Sequence, residues 1–202
     1  MKITAIKQQV NRVGWFSIFV DEKYSFSLSE SALLESKIAV GQELSEAEIG
    51  KFKQLSAEDK LYGNALNFTA LRVRSQWEIE QYLKRKQAPP ALAEKILNRL
   101  SKNGLVNDET FAKAWVESRR LLKPTSRRRL VQELRAKRIA SDIVDKVLGD
   151  DETKEHNALQ EVVAKKRKLA KYRDDELKLM QYLARQGFGY DDIKSVLNNE
   201  ED

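Results

Sequence analysis

Carboxylates and a single histidine are the side chains in this sequence whose types allow acid–base or metal chemistry. They occur as the Asp21-Glu22-Lys23 segment, His156, the Asp174–Glu176 run and the Asp191–Asp192 pair. A nuclease site needs a second acid beside an aspartate–lysine set, and no pattern places one near the first segment. The two later clusters adjoin predicted helix starts, where acids stabilise the helix dipole, and the histidine stands in a polar stretch. We therefore predict no catalytic residue, no metal site and no cofactor.

The other side chains that could serve a function are basic ones. The stretch "RRLLKPTSRRRLVQELRAKR", from Arg119 to Arg138, holds nine basic side chains and one acid, Glu133, which gives it a charge of +8. The whole chain carries only +6. Basicity concentrated in one segment indicates either a surface for an anionic partner or the solvated face of a helical protein. Both interpretations stay open at this point.

A helix starting after Ser126 divides these charges between its faces. The core stripe would consist of Leu130, Val131 and Leu134. One flank, with residues four apart that can pair with one another, would consist of Arg129, Glu133 and Lys137. Arg128 and Arg135 lie on the opposite flank without an acid at helical spacing. We predict that these two arginines carry more of any anion binding than Arg129 and Lys137.

Two basic clusters are the predicted partner- or DNA-binding residues. The first cluster consists of Arg119, Arg120, Arg127, Arg128, Arg135 and Arg138. The second cluster, "KKRK", consists of Lys165, Lys166, Arg167 and Lys168. The anion they meet is either the DNA backbone, where each neutralised phosphate steepens the salt dependence of binding, or an acidic protein surface. The sequence does not separate these two partners.

Composition limits the class of protein. Hydrophobic residues make up 41% of the chain, enough for packed cores, and cysteine is absent, which excludes disulfides and thiolate metal sites. The start, "MKITAIKQQV", lacks the apolar core of a signal peptide. No apolar run approaches the roughly 20 residues that span a bilayer. We expect a cytoplasmic protein without membrane contact, and a monomer, since no dimer seam is evident.

The elements that must position these charges change type along the chain. "GWFSIFV" and "YSFSLS" alternate in the period of strands around a short polar turn, which predicts a hairpin, and residues 2–10 can add a third strand. "SESALLE" and "SEAEIGKFKQL" predict short helices, the second opened by a capping box of Ser45 and Glu48. From about residue 57 onward the pattern has the period of helices throughout.

The helical part repeats with a period of about 50 residues. Leu83, Leu134 and Leu183 stand in corresponding places. Four residues before each of them an aliphatic residue recurs, and eight residues before each an N-cap type of residue, namely Ser75, Ser126 and Asp175. At thirteen and fourteen residues after each leucine come Ile96–Leu97, Val147–Leu148 and Val196–Leu197. Each repeat therefore predicts three helices.

The fold class that follows is mainly α. We predict a small N-terminal β-hairpin/α domain over residues 1–56 and three tandem three-helix repeats over residues 57–106, 107–150 and 151–202. Since a unit of about 50 residues buries its core poorly alone, we expect the repeats to stack into an elongated, slightly curved array.

These residues resemble the RecX regulatory family. The resemblance rests on "LRVRSQWEIEQYLKRK", "LSKNGLVNDETFAKAWVESR" and "LARQGFGYDDIKSVL", and the N-terminal "MKITAIKQQ", "YSFSLSESALL" and "GQELSEAEI" are similar to the leading domain of longer members. It covers nearly the whole chain. The sequence departs from the family where glycine often follows the second helix of a repeat: Gln87 and Arg138 stand there in the first two copies, and glycine only in the third, at Gly187. Asn107–Asp108 replaces a common aspartate pair.

The resemblance implies a non-enzymatic bacterial modulator, usually an inhibitor, of the RecA recombinase. Family members are understood to act on the filament that RecA forms on single-stranded DNA, so the expected partners are that filament and, with it, single-stranded DNA. The alternative is a DNA-binding helical-repeat protein that acts on DNA directly, because three-helix units resemble helix-turn-helix modules in outline. Binding to DNA alone would weaken steeply with salt and need no recombinase.

Overall fold

A computed structural model of the protein describes residues 1–149 and 152–198. In this part of the chain, a three-stranded sheet comes first and helices follow. The chain forms two compact units: the first contains residues 1–72 and 79–102, and the second contains residues 73–78 and the described residues from Asn103 onward. The mainly helical fold class with an N-terminal β element is confirmed.

The sheet is antiparallel and has the strand order β1-β2-β3. Its strands are β1 (Ile3–Gln8), β2 (Trp15–Val20) and β3 (Lys23–Ser29). The predicted hairpin and the third strand are therefore both present. Asp21 and Glu22 form the two-residue turn and have φ values of 48° and 65°, as the tight turns that suit the strand twist require. One face of the sheet packs into the core, where Ile18 and Leu28 are both 0% exposed.

Four helices complete the first part of the chain: α1 (Glu30–Ser36), α2 (Glu46–Ala70), α3 (Gln76–Arg85) and α4 (Pro90–Lys102). The predicted capping box opens α2: the Ser45 hydroxyl accepts a bond from the Glu48 N–H, and the Glu48 carboxylate accepts one from the Ser45 N–H. This helix runs unbroken through residues 56–57, where we placed a domain boundary. It is thus one helix of 25 residues rather than a short one.

The second part of the chain consists of seven helices within the described residues. They are α5 (Asp108–Leu122), α6 (Arg127–Ala136), α7 (Ser141–Leu148), α8 (Glu152–Arg167), α9 (Ala170–Arg173), α10 (Glu176–Gln186) and α11 (Tyr190–Asn198). α5 to α7 correspond to the second predicted repeat. α8, α10 and α11 correspond to the third, in which the four-residue α9 is an extra element.

The repeat positions read from the sequence are the core positions of the fold. Leu83, Leu134 and Leu183 are all 0% exposed. The aliphatic residues four places earlier, Ile79, Leu130 and Leu179, are also 0% exposed. The predicted caps hold the helix starts: Ser126 accepts a hydrogen bond from the Arg129 N–H, and Asp175 accepts one from the Lys178 N–H. Across the described ranges, the helices are all too short or too polar to traverse a lipid bilayer.

Candidate functional site

The basic stretch is positioned by the junction between the start of α6 and the end of α10. Ser126, 1% exposed, caps α6, and its hydroxyl also donates to the Gln186 carbonyl at 2.6 Å. Gly187 follows α10 with a φ of 94°, and a β-carbon there would lie 2.8 Å from the Ser126 Oγ. Only glycine therefore lets the two helix ends approach this closely.

Three of the predicted binding residues are held by contacts within the protein. Arg119 pairs through Nε with the Glu133 carboxylate at 2.7 Å. Arg120, with a side chain only 11% exposed, pairs with Glu155 at 2.9 Å and also donates to the Thr125 carbonyl. The Arg127 guanidinium donates to the Leu148 carbonyl, and its backbone N–H donates to Glu155 at 2.7 Å. These arginines connect helices and present little charge to a partner.

The flank predicted to pair within α6 has partners elsewhere. Glu133 accepts hydrogen bonds from Arg119 and from the Trp115 indole Nε1, the latter at 2.8 Å. Lys137 reaches the nearly buried Glu78 at 2.7 Å, and Arg129 donates to the Gln186 side chain at 2.9 Å. The charges of this flank stabilise the fold, but they do so through residues distant in sequence rather than along the helix.

Arg128 and Arg135 remain exposed, and within the described ranges neither has an ion-pair partner. They lie seven residues apart, about two helical turns, on one side of α6. Arg128 lines a concavity of about 470 Å³ between α6 and α10, together with Arg129, Gln132, Arg185 and Gln186. We call Arg128, Arg135 and Arg185 the open arginine surface.

Sequence reasoning missed Arg185. It stands on α10, in the third repeat, and nothing local to α10 distinguishes it from any other exposed arginine. Its place beside α6 follows from a contact between repeats that the sequence pattern does not show. The side chain of Arg129 contacts Gln186, the residue next to it, so the helix end of one repeat lies beside the helix start of the preceding one.

The remaining predicted residues are distributed over several environments. Arg138 is exposed just beyond α6 in a left-handed conformation, with a φ of 60°. Lys165 pairs one turn back with Glu161 at 3.5 Å, and both side chains are mostly exposed. Lys166 lies over the Tyr182 ring, 4.5 Å from its centroid, and Arg167 donates to the Arg173 carbonyl. Lys168 is exposed. The "KKRK" run thus contains structural and open charges side by side.

The acidic clusters have capping and turn roles in the structure. The backbone N–H of Lys178 is the main cause that lowers the pKa of Asp175, followed by the side chain of Lys178. Asp21 accepts a hydrogen bond from the Lys2 N–H at 2.8 Å, and His156 is half-buried on α8. Across residues 1–149 and 152–198, no three His, Asp or Glu side chains are grouped so as to hold a metal ion. What the arrangement offers is binding of anions.

Three family models match this chain. They are the regulatory protein RecX N-terminal domain over residues 1–45, the RecX second three-helix domain over residues 107–148 and the RecX third three-helix domain over residues 153–197.

Relatives named regulatory protein RecX match over most of the chain. The one from Bacillus subtilis is 30% identical over 98% of this chain and 77% of its own length. The one from Listeria welshimeri is 32% identical over 89% of this chain and 66% of its own length, and one from Listeria monocytogenes is 32% identical over 81% and 61%. This chain thus spans between about three fifths and three quarters of these relatives.

Two crystal structures share the fold. One, of regulatory protein RecX, superposes with a TM-score of 0.78 at 25% identity and covers 98% of both chains. The other, of RecX from Lactobacillus salivarius, superposes with a TM-score of 0.63 at 22% identity over 70% of this chain and 95% of that one. The second likeness concerns the fold alone.

Proposed function

Because the chain belongs to the RecX family of regulatory proteins, we propose that it restrains the RecA recombinase without catalysing a reaction itself. In this proposal it acts in the cytoplasm, binds along the RecA–single-stranded DNA filament and limits its activity in recombination and DNA repair. The ten basic residues named from the sequence are the starting set for its contact surface. Arg119, Arg120 and Arg127 are held by contacts within the protein, so the proposal rests on the exposed members of the set.

The observation that supports this function best is the open arginine surface. Arg128 and Arg135 are exposed and lack an ion pair in the described ranges, whereas neighbouring cations hold helices together. An exposed arginine keeps its charge at any physiological pH and offers a fork of donors that fits phosphate or carboxylate. The DNA in the filament carries phosphates and protein surfaces can carry carboxylates, and either group attracts exposed arginines.

The test is a charge reversal with a matched control. The variant Arg128→Glu/Arg135→Glu changes two exposed positions seven residues apart on α6. The control, Lys53→Glu/Lys60→Glu, changes two exposed positions, also seven residues apart, on α2. Both variants alter the net charge equally, so a general electrostatic effect weakens both equally. We expect the α6 variant to bind preformed RecA–single-stranded DNA filaments at least about tenfold more weakly at ~150 mM salt, and the α2 variant to bind almost as the parent does.

Filament ATP hydrolysis and binding to bare single-stranded DNA are measured in the same titration. Tight filament binding, falling hydrolysis and weak binding to bare DNA support the regulator. Equal losses in the two variants, with folding intact by circular dichroism, contradict a role for the open arginine surface. Equal affinity for bare DNA, with hydrolysis unchanged, would favour the alternative in which the protein acts on DNA directly.

A further inference from the structure

A second surface of the molecule combines apolar walls with positive charge. A cleft of about 260 Å³ lies where the α5–α6 connection meets α8 and α10. Leu122, Val162, Tyr182 and Phe188 provide its apolar walls, with Pro124 at the connection. Small-molecule sites measure about 300–1,000 Å³, so this cleft is small for a cofactor. It has room for one large side chain or two small ones.

The edge of the cleft is cationic. The charged residues that line it are Lys123, Arg129, Lys165 and Lys166, and no carboxylate is among the lining residues. Lys165 has a partner in Glu161, but both are more than half exposed, which makes that pair weak. An apolar side chain flanked by acids would therefore meet complementary surroundings on every side.

Apolar surface is exposed both in the cleft and on the helix end beside it. Leu121 and Leu122, at the end of α5, are 79% and 76% exposed. Adjacent exposed leucines beside an apolar cleft are typical of an interaction site rather than of an ordinary solvated helix end. Leu122 lines the cleft and Leu121 does not, which provides a matched pair for mutagenesis.

The ring geometry favours a peptide over a nucleic acid as the occupant. Stacking a base needs an open aromatic face. Phe188 is only 5% exposed. The Tyr182 ring is covered by the Lys166 ammonium at 4.5 Å and packs against the Tyr172 ring at a centroid distance of 5.4 Å. The aliphatic walls, by contrast, suit the side chain of a leucine, methionine or phenylalanine.

We propose that this cleft docks an acidic peptide segment of a partner protein, with one large apolar side chain inserted between α8 and the α5–α6 connection. The cations that line the cleft attract the flanking carboxylates and mainly raise the association rate, while the inserted side chain provides most of the affinity through its buried area. This inference does not depend on which protein carries the segment.

Short fluorescein-labelled peptides test it directly. Each peptide is rich in Asp and Glu and has a central Leu, Met, Phe or Trp, and a reference peptide has Ser in that place. In anisotropy titrations of the full chain, we expect at least one apolar peptide to bind about tenfold more tightly than the reference, which corresponds to ~1.4 kcal/mol. Leu122→Ser should remove that advantage and Leu121→Ser should leave it. Lys165→Gln should weaken binding more than Lys168→Gln does.

Three outcomes would overturn the proposal. The first is that no apolar peptide binds better than the serine reference. The second is that Leu121→Ser and Leu122→Ser lower the affinity equally, since both are exposed and neither change should unfold the chain. The third is that a single-stranded oligothymidine displaces the peptides and loses its own affinity in Leu122→Ser, which would identify the cleft as a nucleic-acid site.

Discussion

At the scale of single residues, one backbone conformation recurs at the same place in all three repeats. Gln87, Arg138 and Gly187 follow the second helix of their repeats with φ values of 57°, 60° and 94°. Glycine adopts this left-handed region freely, whereas the conformation costs a residue with a β-carbon about 1–2 kcal/mol of conformational energy. The two departures from the family pattern therefore keep the helix-ending geometry and accept strain.

Relief of this strain gives a first prediction. Gln87→Gly should raise the free energy of unfolding by about 0.5–1 kcal/mol, because the lost strain exceeds the added entropy of the unfolded chain. Urea denaturation followed by circular dichroism measures the change. Glu80→Gly, at an exposed position inside α3, is the control and should lower stability by about 1 kcal/mol. A loss of stability in both variants would show that the left-handed turn stores no strain.

Glu109 gives a prediction about pH. Hydrogen bonds from Lys113, and then from Lys146, lower the pKa of its carboxyl from 4.5 to about 2. A carboxyl whose pKa is lowered in the folded state stabilises the fold above its unfolded pKa, and that contribution is lost as the pH falls from 4.5 towards 2. Glu109→Gln should therefore show a shallower decline of the unfolding midpoint between these pH values. A decline as steep as that of the parent would mean that the two lysines do not hold this carboxylate in solution.

At the scale of elements, neighbouring repeats are joined by two contacts that recur. In each case a carboxylate on the first helix of one repeat accepts a hydrogen bond from the first N–H of the second helix in the repeat before it. Asp108 accepts from Gln76 at 2.8 Å, and Glu155 accepts from Arg127 at 2.7 Å. A second bond then joins residues of the second helices. Lys137 bonds to Glu78, and Gln186 bonds to Arg129 from the same place of the next repeat.

These contacts between repeats could not be predicted from the sequence. Period and capping residues are local signals, so the helices, the caps and the core leucines could be predicted. Ion pairs between repeats join residues as far apart as Glu78 and Lys137, and spacing along one helix says nothing about them. Arg129 and Lys137 have partners within the protein, but these are Gln186 and Glu78 rather than Glu133. The predicted boundary at residues 56–57 also cut α2 short, since the helix runs from Glu46 to Ala70.

The junction of α6 with α10 provides a prediction at this scale. Gly187→Ala adds strain from the left-handed backbone and also places a β-carbon against Ser126. Gly104→Ala, at a φ of 71° with nothing within 4 Å of the new atom, adds the backbone strain alone. We expect losses of about 1 kcal/mol at Gly104 and about 2–4 kcal/mol at Gly187, measured by urea denaturation. Equal losses of stability in the two variants would mean that Ser126 moves away from the new β-carbon without destabilising the junction.

At the scale of the whole molecule, the charge total is a poor guide to the binding surface. The stretch from Arg119 to Arg138 carries more charge than the entire chain. Yet four of its basic side chains form contacts between helices, namely those of Arg119, Arg120, Arg127 and Lys137. A binding surface of a few open arginines is weak in isolation, since exposed charges contribute little singly. The proposed function therefore calls for several contacts at once.

Filament length tests that requirement. A protein that touches several RecA subunits gains affinity from effective concentration, by about 10²–10⁴ over a single contact. Filaments are assembled on single-stranded oligonucleotides of decreasing length, and binding of the full chain is compared with binding to RecA without DNA. We expect affinity to fall sharply once the filament is too short for simultaneous contacts, and Arg128→Glu/Arg135→Glu to flatten that dependence. Lys53→Glu/Lys60→Glu should preserve it. An affinity independent of filament length in the parent chain would instead indicate one contact on one subunit.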